Sequence, residues 1–302
     1  MVRVWVRRTQ KWETERTPRL TKSFLALGEF LPGVLHRFIN DKLTCRCNKW
    51  FSNPDTGPAQ IRAFVKAYGN QLDLSQVKLP LTGFRTMNDF FQRNLVTGAR
   101  PVAGRSDPGI VVSPADCRLL TFSSVREAQQ LWIKGRKFTL AKLLATRDRS
   151  VWKRFVGGSV VVARLAPQDF HRFHAPLSGV LSGLSQVPGA YYSVQPRTVK
   201  NPRTNVYTRN RRNVIFLDTE MCGKIAIVAV GAVCVGSIRM YRTRGRVRKG
   251  SQLGTFGYGG STVVILFPKH RVQFDPDLLE LSSQGVETLV RANEQIGVAV
   301  KS

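Results

Sequence analysis

The sequence contains few acidic residues, because 19 Asp and Glu stand against 47 Lys and Arg in a chain of 302 residues. The formal net charge of +28 favours polyanionic partners, either nucleic acid or an anionic membrane surface. A general Arg-rich bias spread over the surface explains the charge equally well, so composition alone does not identify a partner. Apolar residues make up 42% of the chain, which is enough to bury a sizeable core.

Cysteine is also scarce, and the five residues present are an odd number. With no secretory signal, this argues against a framework of disulfides. Cys45 and Cys47 form a single C-x-C, and no second cysteine pair or nearby histidine completes a zinc site. We therefore predict no metal.

Long hydrophobic runs are missing as well. The longest, 225–235 (IAIVAVGAVCV), is far shorter than the roughly 18 residues of a membrane-spanning helix and is β-branched, so it reads as a buried strand or strand pair. The N-terminal MVRVWVRRTQKW alternates like a strand and lacks the apolar core of a signal peptide.

Up to about residue 100 the chain is predicted to be mostly helical. The stretch 20–39 carries apolar residues on one helical face, with a kink near Pro32. This helix either packs on its own domain or lies in a membrane interface. A second helix is predicted over 58–69, between Pro58 and Gly69. A third is predicted over 86–95, capped by Thr86 or Asn88.

Beyond a turn-rich connector, short β-branched runs separated by Gly and Pro predict an antiparallel domain. These runs occupy 110–112, 159–165, 213–217, 225–235 and 262–267. The last segment, 276–296, is predicted to be helical. The fold class is therefore α+β. A mainly helical N-terminal region (1–105), with a membrane-surface contact, precedes a β-rich catalytic domain (106–302) that ends in a C-terminal helix.

Three short stretches place reactive side chains at predicted strand ends. SPADC contains Asp116, HRFHAP contains His171 and His174, and GGST contains Ser261. An acid, a histidine pair and a serine are the components of an activated nucleophile. Each signal is weak alone. The two glycines in front of Ser261 are unusual, because glycine weakens a strand unless the backbone must bend or be approached closely.

Together with other blocks in the same order, these stretches resemble the pyruvoyl-dependent phosphatidylserine decarboxylases, and such blocks cover most of the chain. The matching blocks are VRRTQKWETERTP, NDFFQRNLVTGARPV, SPADC, IKGRKFTLAKLL, DFHRFHAPLSG, NRRNVIFLDTE, VAVGAVCVGSI and GGSTVVILF.

The resemblance implies that the protein cuts its own Gly260–Ser261 bond, giving a β chain (1–260) and an α chain (261–302). The Ser261 hydroxyl attacks the preceding carbonyl, and elimination and hydrolysis leave a pyruvoyl group, the covalent cofactor. By resemblance, His174 oriented by Asp116 is the base for cleavage. His171 then performs the acid–base work of turnover.

The implied reaction is decarboxylation of phosphatidylserine to phosphatidylethanolamine and carbon dioxide, through a Schiff base to the pyruvoyl group. The implied enzyme is a carboxy-lyase made as a zymogen and bound peripherally to an anionic membrane, in a compartment that the sequence does not give. Its α and β chains form a heterodimer, and a homodimer is expected from the family alone.

Two alternatives remain open. Some similar proteins decarboxylate a soluble amino acid such as tryptophan. A non-catalytic nucleic-acid-binding protein would account for the basic run at 239–250, but no binding motif accompanies that run, so no nucleic acid is predicted. Only the enzyme alternatives predict two chains on a gel.

The sequence departs from the family pattern at two places and contains a row of arginines near the predicted cleavage site. Cys117 replaces the usual glycine after the aspartate, and the acidic residues expected before the cleavage site are replaced in KGSQLG. Arg242, Arg244, Arg246 and Arg248 recur with a period of two, so an extended chain would place them on one face. Such a row is either a solvated loop or a strip that contacts lipid phosphate.

Overall fold

The computed structural model describes residues 2–15, 42, 44–132, 138–201, 204–232, 237–259 and 261–301. Its strands are β1 (Arg3–Val6), β2 (Lys11–Thr14), β3 (Ile110–Val112), β4 (Cys117–Phe122), β5 (Val160–Leu165), β6 (Arg172–His174), β7 (Gly179–Val187), β8 (Arg212–Thr219), β9 (Gly223–Gly231), β10 (Ile238–Met240), β11 (Gly245–Val247), β12 (Gln252–Phe256), β13 (Ser261–Leu266), β14 (Val272–Phe274), β15 (Thr288–Val290) and β16 (Gln295–Ala299). Its helices are α1 (Gly57–Tyr68), α2 (Met87–Phe91), α3 (Val125–Leu131), α4 (Leu140–Leu144), α5 (Arg149–Lys153), α6 (Pro196–Val199), α7 (Val206–Arg209) and α8 (Pro276–Ser283), and residues 44–51 are also helical.

The strands form one large sheet and two small ones. The ten-stranded sheet has the order β11-β7-β8-β9-β13-β5-β4-β15-β1-β2, and the three-stranded sheets have the orders β10-β12-β6 and β14-β16-β3. Among the described strands, β1 and β15 are the parallel pair, and the other pairings are antiparallel. The predicted α+β class with an antiparallel β-rich domain is confirmed.

Strand β13 lies in the middle of the large sheet, between β9 and β5. All of its residues are buried. Val263 and Ile265 belong to one hydrophobic cluster, and Val264 and Leu266 belong to a second cluster on the opposite face. A strand that is covered on both faces reads as a continuous apolar run, which explains the STVVIL pattern.

Helices α1 and α2 build a third, largely aromatic cluster that also contacts Tyr258, just before the glycines. The predicted boundaries of α1 are confirmed: Pro58 lies in its first turn, and Gly69 is its C-cap. The helix predicted over 86–95 is shorter than expected, because α2 ends at Phe91 and Gln92 is its C-cap. Thr86 caps α2 in a capping box with Asp89, in which each side chain accepts from the other residue's backbone N–H. The helical region is therefore packed beside the candidate cleavage segment.

The C-terminal helix is confirmed over Pro276–Ser283, but its predicted extension to residue 296 is wrong. The helix is followed by Gly285 at φ +70°, a conformation that suits glycine and stops helices. Strands β15 and β16 follow instead. The predicted helix at 20–39 lies outside the described residues. The boundary at residue 105 stays a prediction, while β1 and β2 of the N-terminal region join the large sheet.

Candidate active site

Ser261 is the first residue of β13 and is fully buried. It pairs with Leu165 on one neighbouring strand and with Gly231 on the other, so both sides of its backbone are fixed by the sheet. Gly259, two residues earlier, has φ +134°, a conformation that a side chain would disfavour. Gly259 therefore adopts a backbone conformation that residues with a side chain avoid, as expected for a glycine in front of a strand. Gly260 lies outside the described residues.

His171 contacts the serine. Its Nδ1 lies 3.4 Å from the Ser261 Oγ, and its Nε2 lies 2.9 Å from the carbonyl oxygen of Ala166. Because a carbonyl can only accept, Nε2 carries the proton and Nδ1 presents its lone pair to the hydroxyl. The ring is completely buried and packs on Phe91, with 3.8 Å between the ring centroids. Burial lowers the pKa of His171 to about 3, so the imidazole is neutral at pH 7.

His174 and Asp116 lie nearby but have other immediate partners. His174 Nδ1 lies 3.2 Å from the carbonyl oxygen of Pro114, and burial lowers the pKa of this imidazole to about 4. The carboxylate of Asp116 accepts two bonds from the Arg100 guanidinium, at 2.7 and 2.5 Å, and one from the backbone of Ala292 at 2.8 Å. Within the described part of the chain, Asp116 influences His174 through its charge, which opposes the lowering of the histidine pKa, and not through a hydrogen bond.

Comparison with known proteins gives the same family as the sequence motifs. The family model described as phosphatidylserine decarboxylase matches residues 87–298, which include all four candidate residues. The chain belongs to the phosphatidylserine decarboxylase family. The resemblance seen in the sequence is thereby confirmed.

Relatives of this decarboxylase family occur in plants, fungi and bacteria. The chain is 44% identical to a phosphatidylserine decarboxylase proenzyme 2 of Oryza sativa subsp. japonica, over 84% of this chain and 40% of the relative. It is 41% identical to a proenzyme 3 of Schizosaccharomyces pombe, over 79% of this chain and 24% of the relative. A proenzyme of Clostridium perfringens is 32% identical, over 98% of this chain and 99% of the relative. The chain thus spans less than half of the first two relatives and nearly all of the third.

The decarboxylase motifs did not reveal which charged residues surround the histidines. Arg100 holds Asp116, and Arg118 forms an ion pair with Asp169, close to His171 in the sequence. Both arginines and Asp169 are in or next to the matching blocks. Their position in these blocks was the one feature of the sequence that could have pointed to them. Which acid each arginine pairs with depends on the register of the sheet and not on spacing along the chain.

The segment before the candidate cleavage site is held by aromatic rings of the helical region. The Tyr258 ring stacks on Phe51, with 3.6 Å between centroids, and lies 4.8 Å from the ring of Phe91. The Tyr258 backbone N–H donates to Asn88 at 3.1 Å. Since Phe91 also packs on His171, one aromatic cluster contacts both the histidine and the candidate cleavage segment.

The two departures from the decarboxylase pattern are accommodated. Cys117 is buried at the start of β4, and its Sγ lies 3.7 Å from the Ser113 hydroxyl. Lys249 is buried, and its ammonium donates to the carbonyl groups of Gly104, Asp107 and Ile110. The KGSQLG segment therefore fastens the connector that precedes β3.

The arginine row is exposed but only partly extended. All four arginines are exposed, but β11 covers only Gly245–Val247, and Gly245 has φ +89°. Val247 is buried, so Arg246 and Arg248 on either side of it point to the opposite face. Among the described helices, none combines the length and the hydropathy that crossing a bilayer requires.

Proposed function

We propose that the protein is a self-processing phosphatidylserine decarboxylase, a lyase that releases carbon dioxide and forms phosphatidylethanolamine. The observation that carries this proposal is the contact between Ser261 and His171. A buried hydroxyl at the start of a central strand faces the lone pair of a neutral imidazole. That is an arrangement for activating a serine or for moving a proton beside the group derived from it.

Self-cleavage uses only the chain itself and water. The Ser261 Oγ attacks the carbonyl carbon of Gly260, the peptide C–N bond breaks, and an ester forms in its place. Elimination of the Gly260 carboxylate, followed by hydrolysis that releases ammonia, leaves a pyruvoyl group at the new N-terminus. In this proposal His174, within the field of Asp116, is the base for the attack, and the cleaved bond lies next to the bent Gly259.

The residues present fit a pyruvoyl group at position 261. The position is fixed between two strands, and Ser261 is buried beside His171, whose ring packs on Phe91. When formed, the group supplies a ketone that can bind a primary amine and accept the electrons freed by loss of carbon dioxide. His171 lies on the Oγ side of residue 261, so it is placed to hold and return a proton there during turnover.

The two chains would remain together after cleavage. The α chain carries β13, and this strand pairs along its whole length with β5 and β9 of the β chain. Removing it would expose the apolar residues on both of its faces, which is strongly unfavourable. We therefore propose a non-covalent heterodimer, and a homodimer stays a prediction from the family.

A lipid substrate is favoured over a soluble amino acid, because the relatives described above are named for phosphatidylserine. The test compares the purified protein on phosphatidylserine vesicles with the same protein on free serine and free tryptophan, measuring carbon dioxide. Release from the vesicles alone supports the proposal. Release from a free amino acid alone would replace the lipid with a soluble substrate.

The enzyme is further proposed to bind anionic membranes peripherally through its exposed arginine row. Replacing all four arginines by Gln should weaken binding to phosphatidylserine vesicles by about 10²–10³-fold, because each basic side chain near such a surface contributes about 1 kcal/mol. Binding should also fall as salt is added. Co-sedimentation with vesicles at low salt measures the effect. The substituted residues are Arg242, Arg244, Arg246 and Arg248.

A matched variant removes the same charge from exposed arginines elsewhere, and it should bind vesicles nearly as well as the unmodified chain. Self-cleavage should persist in both variants. Equal binding by the two variants would show that only net charge matters and that the row is a solvated loop. The control substitutions, also to Gln, are at Arg105, Arg126, Arg147 and Arg149, all exposed.

A further inference from the structure

In the turn between β5 and β6, Asp169 forms two hydrogen bonds with Ala166, one through its backbone and one through its side chain. Its backbone N–H donates to the carbonyl of Ala166 at 2.9 Å, and its carboxylate accepts from the backbone N–H of Ala166 at 2.6 Å. Two opposed bonds between the same pair of residues leave the turn little freedom. The orientation of the Ala166 carbonyl is therefore set by Asp169.

That carbonyl is the one that holds His171. It accepts the Nε2 proton at 2.9 Å. This bond decides which imidazole nitrogen is protonated, because the other nitrogen must then present its lone pair to Ser261. If the Ala166 carbonyl shifted, the His171 ring could rotate and either of its nitrogens could carry the proton.

Asp169 is in turn anchored to the body of the protein. Its side chain is 8% exposed and forms an ion pair with Arg118 on β4. Arg93 donates to the carbonyl groups of Gln168 and Asp169 at 2.8 and 3.1 Å. Burial raises the pKa of the Asp169 carboxyl, and the charge and hydrogen bond of Arg118 oppose that rise, so the ion pair favours the ionised carboxylate. Breaking a buried pair leaves an uncompensated charge, so the anchor is firm.

We propose that Asp169 is a positioning residue that fixes the tautomer and orientation of His171 through the carbonyl of Ala166. The effect of Asp169 on turnover rests on the proposed function. Its effect on the tautomer of the His171 imidazole does not. Asp169→Asn keeps the shape of the side chain but removes its charge, which leaves Arg118 without this ionised partner. The turn should then loosen, and His171 should sample both tautomers.

Glu15 provides a matched control. It is buried beside the same Arg118, with 3.6 Å between the Glu15 carboxylate and the Arg118 Nε, and it also accepts bonds from Arg164. It forms none of the bonds that close the turn at Ala166. Glu15→Gln therefore disturbs the same cluster of buried charges without touching the turn.

The first test reads the imidazole directly, on the uncleaved Ser261→Ala chain labelled with ¹⁵N-histidine. His171 signals are assigned by their loss in His171→Gln. With Asp169 present, the Nε2 of His171 should resonate as a protonated nitrogen and Nδ1 as an unprotonated one. Asp169→Asn should move both towards an average, and Glu15→Gln should not. Unchanged His171 signals in Asp169→Asn would overturn the proposal.

The second test uses the processed enzyme and expresses its rate per pyruvoyl group, counted with a carbonyl reagent, so that loss of folded protein does not affect the value. Asp169→Asn should lower kcat by about tenfold or more with little change in KM, since proton transfer by a placed side chain is worth about 10²–10⁴ in rate. Glu15→Gln should stay within about twofold, even where both variants melt at lower temperature. Equal loss in the two variants would reduce Asp169 to a structural residue.

The two proposals fail in different ways. A protein that shows the tautomer shift but decarboxylates no lipid would contradict the proposed function and leave the positioning role intact. If Asp169→Asn does not fold, Asp169→Glu takes its place. This variant keeps the negative charge beside Arg118 but moves the carboxylate one methylene further from the backbone, so the bond from the Ala166 N–H is lost and the same shift should appear. An unchanged tautomer in that variant would then overturn the proposal.

Discussion

The Ser261→Ala chain should remain uncleaved at 33.9 kDa and should release no carbon dioxide from phosphatidylserine above the rate in buffer. The substitution removes both the hydroxyl that we propose attacks Gly260 and the proposed source of the pyruvoyl carbonyl. The share of residues 261–302 in the mass of the chain puts the unmodified protein's two pieces at about 4.7 and about 29 kDa. Denaturing electrophoresis and a carbon dioxide assay on the same preparation measure both effects.

Ser283→Ala is the matched control, because Ser283 is an exposed serine at the end of α8 whose hydroxyl donates only to a carbonyl of its own helix. That variant should cleave and turn over normally. A Ser261→Ala protein that still separates into two chains would place the cut, or the nucleophile, elsewhere.

The two histidines should fail in different ways. His171→Ala should cleave at least in part, yet its rate per processed chain should fall about 10²–10⁴-fold, the usual contribution of a placed acid–base group. Its contact with the residue that becomes the pyruvoyl group supports this turnover role. His174→Ala and Asp116→Ala should remain uncleaved, as the family resemblance implies.

A time course of cleavage after synthesis, followed by a rate per pyruvoyl group, separates the two roles. His270→Asn is the control, because His270 is exposed and has φ +62°, a conformation that Asn tolerates. Ser261 contacts His171 in the described residues, so the experiment can also show that His171 is the base for cleavage. Loss of cleavage in His171→Ala with normal cleavage in His174→Ala would exchange the two assignments.

Much of the fold could be predicted because its elements carry local signals. Helix α1 carries Pro58 in its first turn and ends before Gly69, and β13 is a continuous apolar run because both of its faces are buried. The C-terminal segment shows the limit. The sequence predicts a helix up to residue 296, but the left-handed Gly285 and the pairing of β15 with β4 end the helix at Ser283.

The candidate site was predictable as a set of residues but not as a set of contacts. Motifs supplied Asp116, His171, His174 and Ser261, because their residue types and order carry chemistry. They did not show that His171 would contact the serine while Asp116 turns to Arg100. Those contacts depend on ring orientation and on the register of strands far apart in the chain.

The buried charges illustrate the same point. Arg164 on β5 binds Glu15, from the N-terminal segment, and Glu287, from just before β15. These partners are more than a hundred residues away on either side. Burial would raise the pKa of Glu15, but the positive charges of Arg164 and Arg118 outweigh this effect and lower that pKa to about 2. No spacing rule connects such residues, so the sequence shows only an acid and a base without their pairing.

Self-cleavage at Gly260–Ser261 is tested by an intact mass of the freshly purified, unmodified protein. We expect two masses, which correspond to residues 1–260 and 261–302. The smaller should be lighter than its Ser-terminated sequence by one ammonia molecule, because a ketone has replaced the amine. A single full-length mass in a preparation that decarboxylates phosphatidylserine would contradict self-cleavage.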